Sequence, residues 1–374
     1  MTYHLRNDTS ANEHYGNSSA RYCNNVSKDK LNWGIIGAGS IARVFCNALQ
    51  FSRTGRLAAI ASQTPGKADL LGDLFGCTTR YDSYNDLLAD NEIDVVYIST
   101  IHAAHTEVVV AAAQAGKHIL VEKPIGMNAE QAETMINAAN KNDVFLMEAF
   151  MYRCHPQINR LIDLIASGTI GEVLMVRSAF SFNLPFDSKS WLFDKALGGG
   201  GILNVGCYPT SMTRLIAGSA AGKPFLNPIE VKASGKIGAT GVDLYAVGAL
   251  KFENGLVAEI VAGMGCHVPS STVIYGSEGI LSLEDPWLPS TPCRTAEIAL
   301  PIETVFPPSY IFIQRPDGSR PTRIEIEADR DLFSYEADTV AKCLDARQAS
   351  AMSWDDTLGN IRVLDSWLAE VGVT

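Results

Sequence analysis

Lys123 is the side chain in this sequence best placed to move a proton. It follows the apolar run His118-Ile119-Leu120-Val121-Glu122, and Pro124 fixes the chain behind it. An amine closing a buried strand is partly desolvated, which lowers its pKa and suits it to acid–base work. An ion pair with Glu122 is the structural alternative. Tyr208 and Asn204 stand four residues apart, so on a helix they share a face. A phenol beside an ammonium makes an acid–base pair, because the positive charge stabilises the phenolate and lowers the tyrosine pKa. A core tyrosine bonded to backbone is the alternative there.

A second group of residues suits phosphate. Asn32-Trp33-Gly34-Ile35-Ile36 reads as a strand and runs into Gly37-Ala38-Gly39-Ser40-Ile41-Ala42, with an amphipathic stretch over 42–51. In that strand–turn–helix setting Gly37 permits the tight turn, Gly39 lets a pyrophosphate approach the backbone, and Ala42 keeps helix and strand close. The helix start, with Ser40 and Ile41, offers N–H groups and a partial positive charge. Dinucleotide binding is the expectation. The next strand, Leu57 to Ser62, ends in Ser62-Gln63-Thr64 with Lys67 beyond it. No carboxylate stands there to hold ribose hydroxyls. Ser62 and Lys67 could take a 2′-phosphate, so NADP is favoured; if Lys67 is simply a solvated helix residue, NAD remains.

These residues need elements to position them. Strands at 93–99, 118–121 and 144–148 alternate with helices at 84–88, 105–115 and 129–140. Alternation of this kind implies a parallel sheet with right-handed crossovers, whose ligands bind at the carboxyl ends of the strands. Thr100, His102, His105, Glu122 and Lys123 fall at such ends and are expected to contact the coenzyme. The two histidines lack a third ligand at suitable spacing, so coenzyme contact or helix capping is their reading and no metal is expected. Past residue 150 the pattern changes. A helix over 157–167 precedes strands at 173–183, 230–237, 244–252, 257–264, 272–275 and 280–283, with hairpin signals at Asn254-Gly255 and Glu278-Gly279. A glycine run, Gly198 to Gly201, introduces the helix carrying Asn204 and Tyr208, and helices at 335–347 and 354–371 close the chain. The fold class is therefore α/β: a Rossmann domain over 31–153, then an α+β domain over 154–374 with an open, mostly antiparallel sheet. Residues 1–30, polar and rich in Asn and Ser, read as a flexible arm.

Composition sets outer limits. The chain has 374 residues, 47% hydrophobic and 19% charged, too long for one ordinary domain. Its net charge of −11 and lack of a Lys/Arg cluster argue against nucleic acid or an anionic membrane as partner. No apolar run approaches the length of a membrane helix. Eight scattered cysteines, and no secretory signal at the start, suit a reducing, cytoplasmic setting.

Four segments, GIIGAGSIA, VVYISTIHAAHTEVVVAAAQAGKHILVEKPIGM, MEAFMYRCHPQ and GGGGILNVGCYP, resemble the Gfo/Idh/MocA oxidoreductases, in the branch of dihydrodiol and NADP-dependent xylose dehydrogenases. The resemblance implies hydride transfer between nicotinamide and a hydroxyl-bearing or carbonyl carbon of a sugar or sugar derivative. It implies that Lys123 lies beside the nicotinamide and that Tyr208 takes the acid–base position. Arg153 and His155 would line the sugar pocket, Phe182 and Trp191 would stack, and the open sheet would form a homodimer or homotetramer. The family usually carries Asp where Asn204 stands, and many NADP-binding members carry Arg at Gln63. Two other activities are compatible with such a chain: a redox-assisted glycoside hydrolase holding NAD tightly, and a non-enzymatic dinucleotide sensor.

Overall fold

A computed structural model describes residues 30–291 and 306–373. Apart from Lys30, the expected amino-terminal arm lies outside the described residues. The first half runs β1 (Leu31–Ile36), α1 (Ser40–Leu49), β2 (Gly55–Ala61), α2 (Lys67–Phe75), β3 (Thr79–Tyr81), α3 (Tyr84–Ala89), β4 (Val95–Ile98), α4 (His105–Gln114), β5 (His118–Glu122), α5 (Ala129–Lys141) and β6 (Leu146–Ala149). The six strands pair in the order β3-β2-β1-β4-β5-β6, and the pairs are parallel. β4 and the middle of β5 are nearly continuous in Ile, Val and Leu, and β1 is buried from Trp33 to Ile36, because helices cover both faces of such a sheet. The order reverses beside β1, and that crevice is where a dinucleotide binds in such sheets.

The second half holds α6 (Pro156–Ala166), β7 (Val173–Asn183), α7 (Cys207–Ala220), β8 (Glu230–Ile237), β9 (Asp243–Lys251), β10 (Val257–Gly263), β11 (Gly265–Gly276), β12 (Gly279–Leu283), β13 (Ser309–Gln314), β14 (Thr322–Ile326), α8 (Leu332–Cys343) and α9 (Trp354–Val371). Its eight strands are ordered β14-β13-β12-β11-β7-β10-β9-β8. All neighbours are antiparallel except β7 and β10. β9 alternates strictly: Ala246, Gly248 and Leu250 face the core, whereas Tyr245, Val247 and Ala249 face outward.

The two halves interlock. α8 comes from the end of the chain yet packs on α1. Ser334 Oγ donates to Ala48 O (2.7 Å), and the Asp338 carboxylate accepts from Ser52 Oγ (2.7 Å), Thr54 Oγ1 (2.7 Å) and the Arg53 amide (3.0 Å). The sequence pattern assigned this helix to the second domain, but its contacts tie it back to the first. The pattern also passed over β3, β13 and β14. β3 is three residues long, and β13 and β14 lie at one edge of the second sheet. β11 extends well beyond the expected 272–275, since its register against β7 breaks twice before Ser271 and so obscures the alternation.

Candidate active site

Gly37, after β1, has φ +96°, and a Cβ there would lie 3.0 Å from Ser99 O. Only glycine makes this turn without strain. Nothing lies within 4 Å of where a Cβ on Gly39 would stand, so the backbone there is open to a ligand. α1 begins at Ser40 with no side chain capping it and no acidic residue in its first turn. Its free N–H groups and positive end suit the pyrophosphate of a dinucleotide. At the end of β2, Ser62 is buried with its hydroxyl against the Thr64 amide (3.2 Å), while Gln63 and Lys67 are exposed. Among these residues there is no carboxylate, and Lys67 opens α2. The cradle therefore fits a dinucleotide, and its ribose end has room and positive charge for a 2′-phosphate.

Beside this turn lies a cavity of about 350 Å³ between the two halves. The first half lines it with Ser40, Ile41, Thr100, His102, Glu122 and Lys123, and the second with Phe180, Trp191, Asn204 and Tyr208. The sequence reading brought most of these together, while Met151, Phe180, Leu288 and Phe333 escaped it. Phe180 faces inward on an alternating strand, and that was the only available signal. Leu288 and Phe333 carry no motif and arrive through tertiary packing.

Lys123 Nζ donates to the Asn204 backbone carbonyl at 2.8 Å. That carbonyl is presented by a π-helical turn, Ile202–Gly206, ahead of α7. Pro209 has no N–H to return to Val205 four residues back, so the regular ladder cannot run through this turn. The wider turn is a common device at functional sites. Its start is pinned by Asp243, whose carboxylate accepts from the Ile202 amide at 2.7 Å. A Cβ on Gly200 would overlap the same carboxyl group, which accounts for the glycine at that position. Burial pushes Asp243 up to about 6.

The ammonium of Lys123 also stands over the Tyr208 ring, 5.1 Å from its centroid. The phenol points at Met151 Sδ (3.6 Å), and Phe150, Phe180, Tyr152 and Trp287 clasp the ring. Burial in this aromatic cage pushes the Tyr208 pKa well above its ordinary value, and the nearby Glu122 carboxyl adds to the rise. This corrects the expectation that the ammonium lowers it: the cation meets the ring face, not the oxygen, so desolvation wins. Nor is Lys123 paired with Glu122 as a salt bridge; its ammonium is turned to Asn204, and Glu122 instead accepts from Tyr97 Oη at 2.5 Å.

The two histidines have separate tasks. His102 Nδ1 meets Gly198 O at 2.9 Å and its ring packs edge-on against Trp191. Burial drops its pKa to about 3, so it is neutral. His105 is wholly buried, with Nδ1 near Pro124 O (3.1 Å) and Nε2 near Thr100 O (3.1 Å), so it braces the segment behind Lys123.

Three expected substrate contacts are not in the cavity wall. Arg153 is buried and turned away: Nη2 pairs with Asp356 (2.6 Å) and Nη1 bonds Ser211 Oγ (2.9 Å). Arg214 shares the same carboxylate at 2.6 Å, making a two-arginine core around Asp356. His155 is also buried; its Nδ1 caps α6 through the Gln157 amide at 3.1 Å, and Tyr335 covers its ring. Phe182 packs with Phe193, Val242 and Met264 in a separate small core. Each has a structural partner that spacing alone could not reveal.

Residues 31–150 match the family model for the oxidoreductase family with an NAD-binding Rossmann fold, and residues 158–282 match the GFO/IDH/MocA C-terminal domain. A trans-1,2-dihydrobenzene-1,2-diol dehydrogenase of Danio rerio is 31% identical over 92% of this chain and 97% of its own. The chain belongs to the Gfo/Idh/MocA oxidoreductase family. A D-xylose 1-dehydrogenase (NADP(+)) of Haloferax volcanii is 37% identical over 61% of this chain and 68% of its own. Among solved structures, an aldose-aldose oxidoreductase from Caulobacter crescentus complexed with glycerol superposes with a TM-score of 0.77 at 25% identity, covering 91% of this chain and 97% of its own. A 3-ketoreductase from Actinomadura kijaniata in complex with NADP and TDP-benzene gives 0.77 at 23% identity over 92% and 98%, which speaks for the fold alone. The protein is thus an NAD(P)-dependent oxidoreductase. Among the described residues no helix is long and apolar enough to cross a membrane.

Proposed function

We propose that this protein is an NADP-preferring dehydrogenase or reductase acting on a small cyclic molecule with neighbouring hydroxyl groups, a sugar or a related diol. The observation carrying this reading is the convergence of Lys123, Tyr208 and the glycine turn on one cavity. NADP is supported by the lack of an acid at the end of β2, by Ser62 and Lys67 there, and by the NADP named for one relative. When bound, the dinucleotide supplies the hydride acceptor or donor. The Lys123 ammonium holds the substrate oxygen and exchanges its proton, while Tyr208, kept neutral by burial, donates a hydrogen bond to the same oxygen. Asn204 fixes the amine through its carbonyl. Met151, Phe180, Trp191, Leu288 and Phe333 give the cavity an apolar side on which a ring can lie. The outward Tyr245, Val247 and Val257 of the second sheet are exposed and apolar, and we assign a homodimer or homotetramer to that face.

The test is a spectrophotometric panel of pentoses, hexoses, glycosides and cyclic vicinal diols with NAD and NADP in parallel. Stoichiometric coenzyme reduction by a sugar or diol, faster with NADP, is expected. Aglycone release without net coenzyme change would replace this reading with redox-assisted hydrolysis.

A further inference from the structure

A hydrogen-bonded path joins the second sheet to the active-site amine. It begins at Asp243, the buried first residue of β9. One carboxyl oxygen accepts from the Ile202 amide at 2.7 Å. Ile202 opens the π-helical turn Ile202–Gly206, and two residues further on the Asn204 carbonyl accepts from Lys123 Nζ at 2.8 Å. The cap position of this turn is Gly201, which has no side chain to offer. The acceptor that a helix start requires therefore comes from the sheet. Asp243 can serve as an anchor because its own strand is fixed on both sides. Asp243 pairs with Ile237 of β8, Tyr245 pairs with Gly263 of β10, and between them Leu244 O accepts from the Met264 amide at 2.8 Å. The turn rests on the same strands at backbone distance: a Cβ on Gly201 would lie 2.9 Å from Gly263 Cα. The second oxygen of Asp243 has no hydrogen-bond partner among the described residues, so an amide nitrogen could stand in its place without losing a bond.

We propose that Asp243 is a positioning residue for the reaction, fixing the π-helical turn so that the Asn204 carbonyl holds the Lys123 amine in its working place. The inference rests on the role proposed for Lys123. Asp243 lies outside the cavity wall and acts only through the Ile202 amide and the Asn204 carbonyl. π-Helical turns are rare and carry one residue more than the regular helix. Without its anchor the turn can relax toward regular spacing, which turns the chain ahead of it by about 100° about the helix axis. The Asn204 carbonyl then leaves the amine, and Lys123 keeps its charge but loses its place. Tyr208 stays, because Phe150, Phe180, Tyr152 and Trp287 clasp its ring independently of the turn. A displacement of about 1 Å at a reacting group can cost about 10²-fold in rate. A plain helix cap would behave differently: its loss would lower stability and leave the turnover of each folded molecule unchanged.

The experiment is a double-mutant cycle in the full chain. Asp243→Leu fills the site but accepts no bond; it is made alone and together with Lys123→Met, with Asp243→Asn as the conservative partner. Rates are expressed per NADP-binding site, so that unfolded protein does not count. Asp243→Leu should lower kcat about 10- to 100-fold while KM and the NADP dissociation constant stay within about threefold of the parent. Asp243→Asn, whose oxygen can still accept from Ile202, should recover most of the rate. In the Lys123→Met background, adding Asp243→Leu should lower kcat by no more than about threefold, because the amine it positions is already gone. A larger further loss in that background would overturn the proposal. So would a loss of less than about tenfold in Asp243→Leu alone, or an Asp243→Asn protein no faster than Asp243→Leu. If Asp243→Leu is not recovered folded, Asp243→Ser, too short to reach Ile202, takes its place with the same expectations. Near-parental turnover in Lys123→Met alone would instead remove the proposed role of Lys123 itself.

Discussion

Replacing Lys123 with Met keeps the stem and deletes the charge. Two contacts go: the 2.8 Å bond to the Asn204 carbonyl and the cation over the Tyr208 ring at 5.1 Å. A half-buried carbonyl left with only the Cys207 thiol, 3.7 Å away, costs about 1 kcal/mol. The lost ring contact adds roughly 0.5–2 kcal/mol. Methionine restores some apolar contact, so the net loss of stability is about 1–2 kcal/mol. At roughly 2–4 °C per kcal/mol, Tm should fall by only about 2–8 °C. Turnover should fall by about 10²–10⁴-fold, because a positioned acid–base group is gone. That corresponds to about 3–5 kcal/mol of barrier, more than the folding loss. Calorimetry, fluorescence titration with NADP and steady-state kinetics on one preparation separate the effects. Reduced Tm with turnover within tenfold of the parent would refute the argument and leave Lys123 as a strut for the π-helical turn.

Further outcomes follow from the same geometry. Tyr208→Phe removes a neutral hydrogen bond only, so kcat should fall about 10- to 100-fold, less than for Lys123→Met, as stopped-flow turnover will show. Arg153→Met strips one partner from a buried carboxylate and should cost about 3–5 kcal/mol in chemical denaturation, with KM for substrate unchanged in the folded fraction. A shift in KM alone would return Arg153 to the substrate pocket. For His102, burial lowers the pKa from 6.5 to about 3, so below pH 6.5 the unfolded chain binds a proton that the folded one refuses. Stability is then lost on acidification through that window, and a neutral side chain removes that loss: relative to the parent, His102→Gln should gain about 2 kcal/mol between pH 7 and pH 5, measured by urea unfolding. Lys67→Glu should weaken NADP about 10- to 100-fold and leave NAD nearly unchanged, as dissociation constants will report.

The Rossmann half was legible because its signals are local. Strands rich in Val, Ile and Leu alternate with helices of apolar periodicity, and the glycine turn announces itself within six residues. Strands 173–183 and 230–237 and the helix 354–371 were equally readable, from alternation in the strands and apolar periodicity in the helix. The site was half legible. Lys123, Tyr208, Asn204, Trp191 and His102 carry chemistry in their side chains and do reach the cavity. Arg153 and His155 looked equally chemical, yet Asp356 and the start of α6 claim them, and those partners are set by packing. The direction of the Tyr208 shift was misread for a related reason. Charge proximity can be inferred from sequence, but the cage of four aromatic rings that outweighs it cannot.

The bonds from Asp338 to Ser52 span 286 residues of chain. Joining ends so far apart is entropically expensive and slow, so such docking belongs among the late events of folding. A nascent chain halted before residue 332 would own its glycine turn and its amine, but α1 would lack its cover and the cavity its Phe333 side. A chain halted there should lack activity, and truncations that remove α8 should silence the enzyme by taking away a helix that packs on α1.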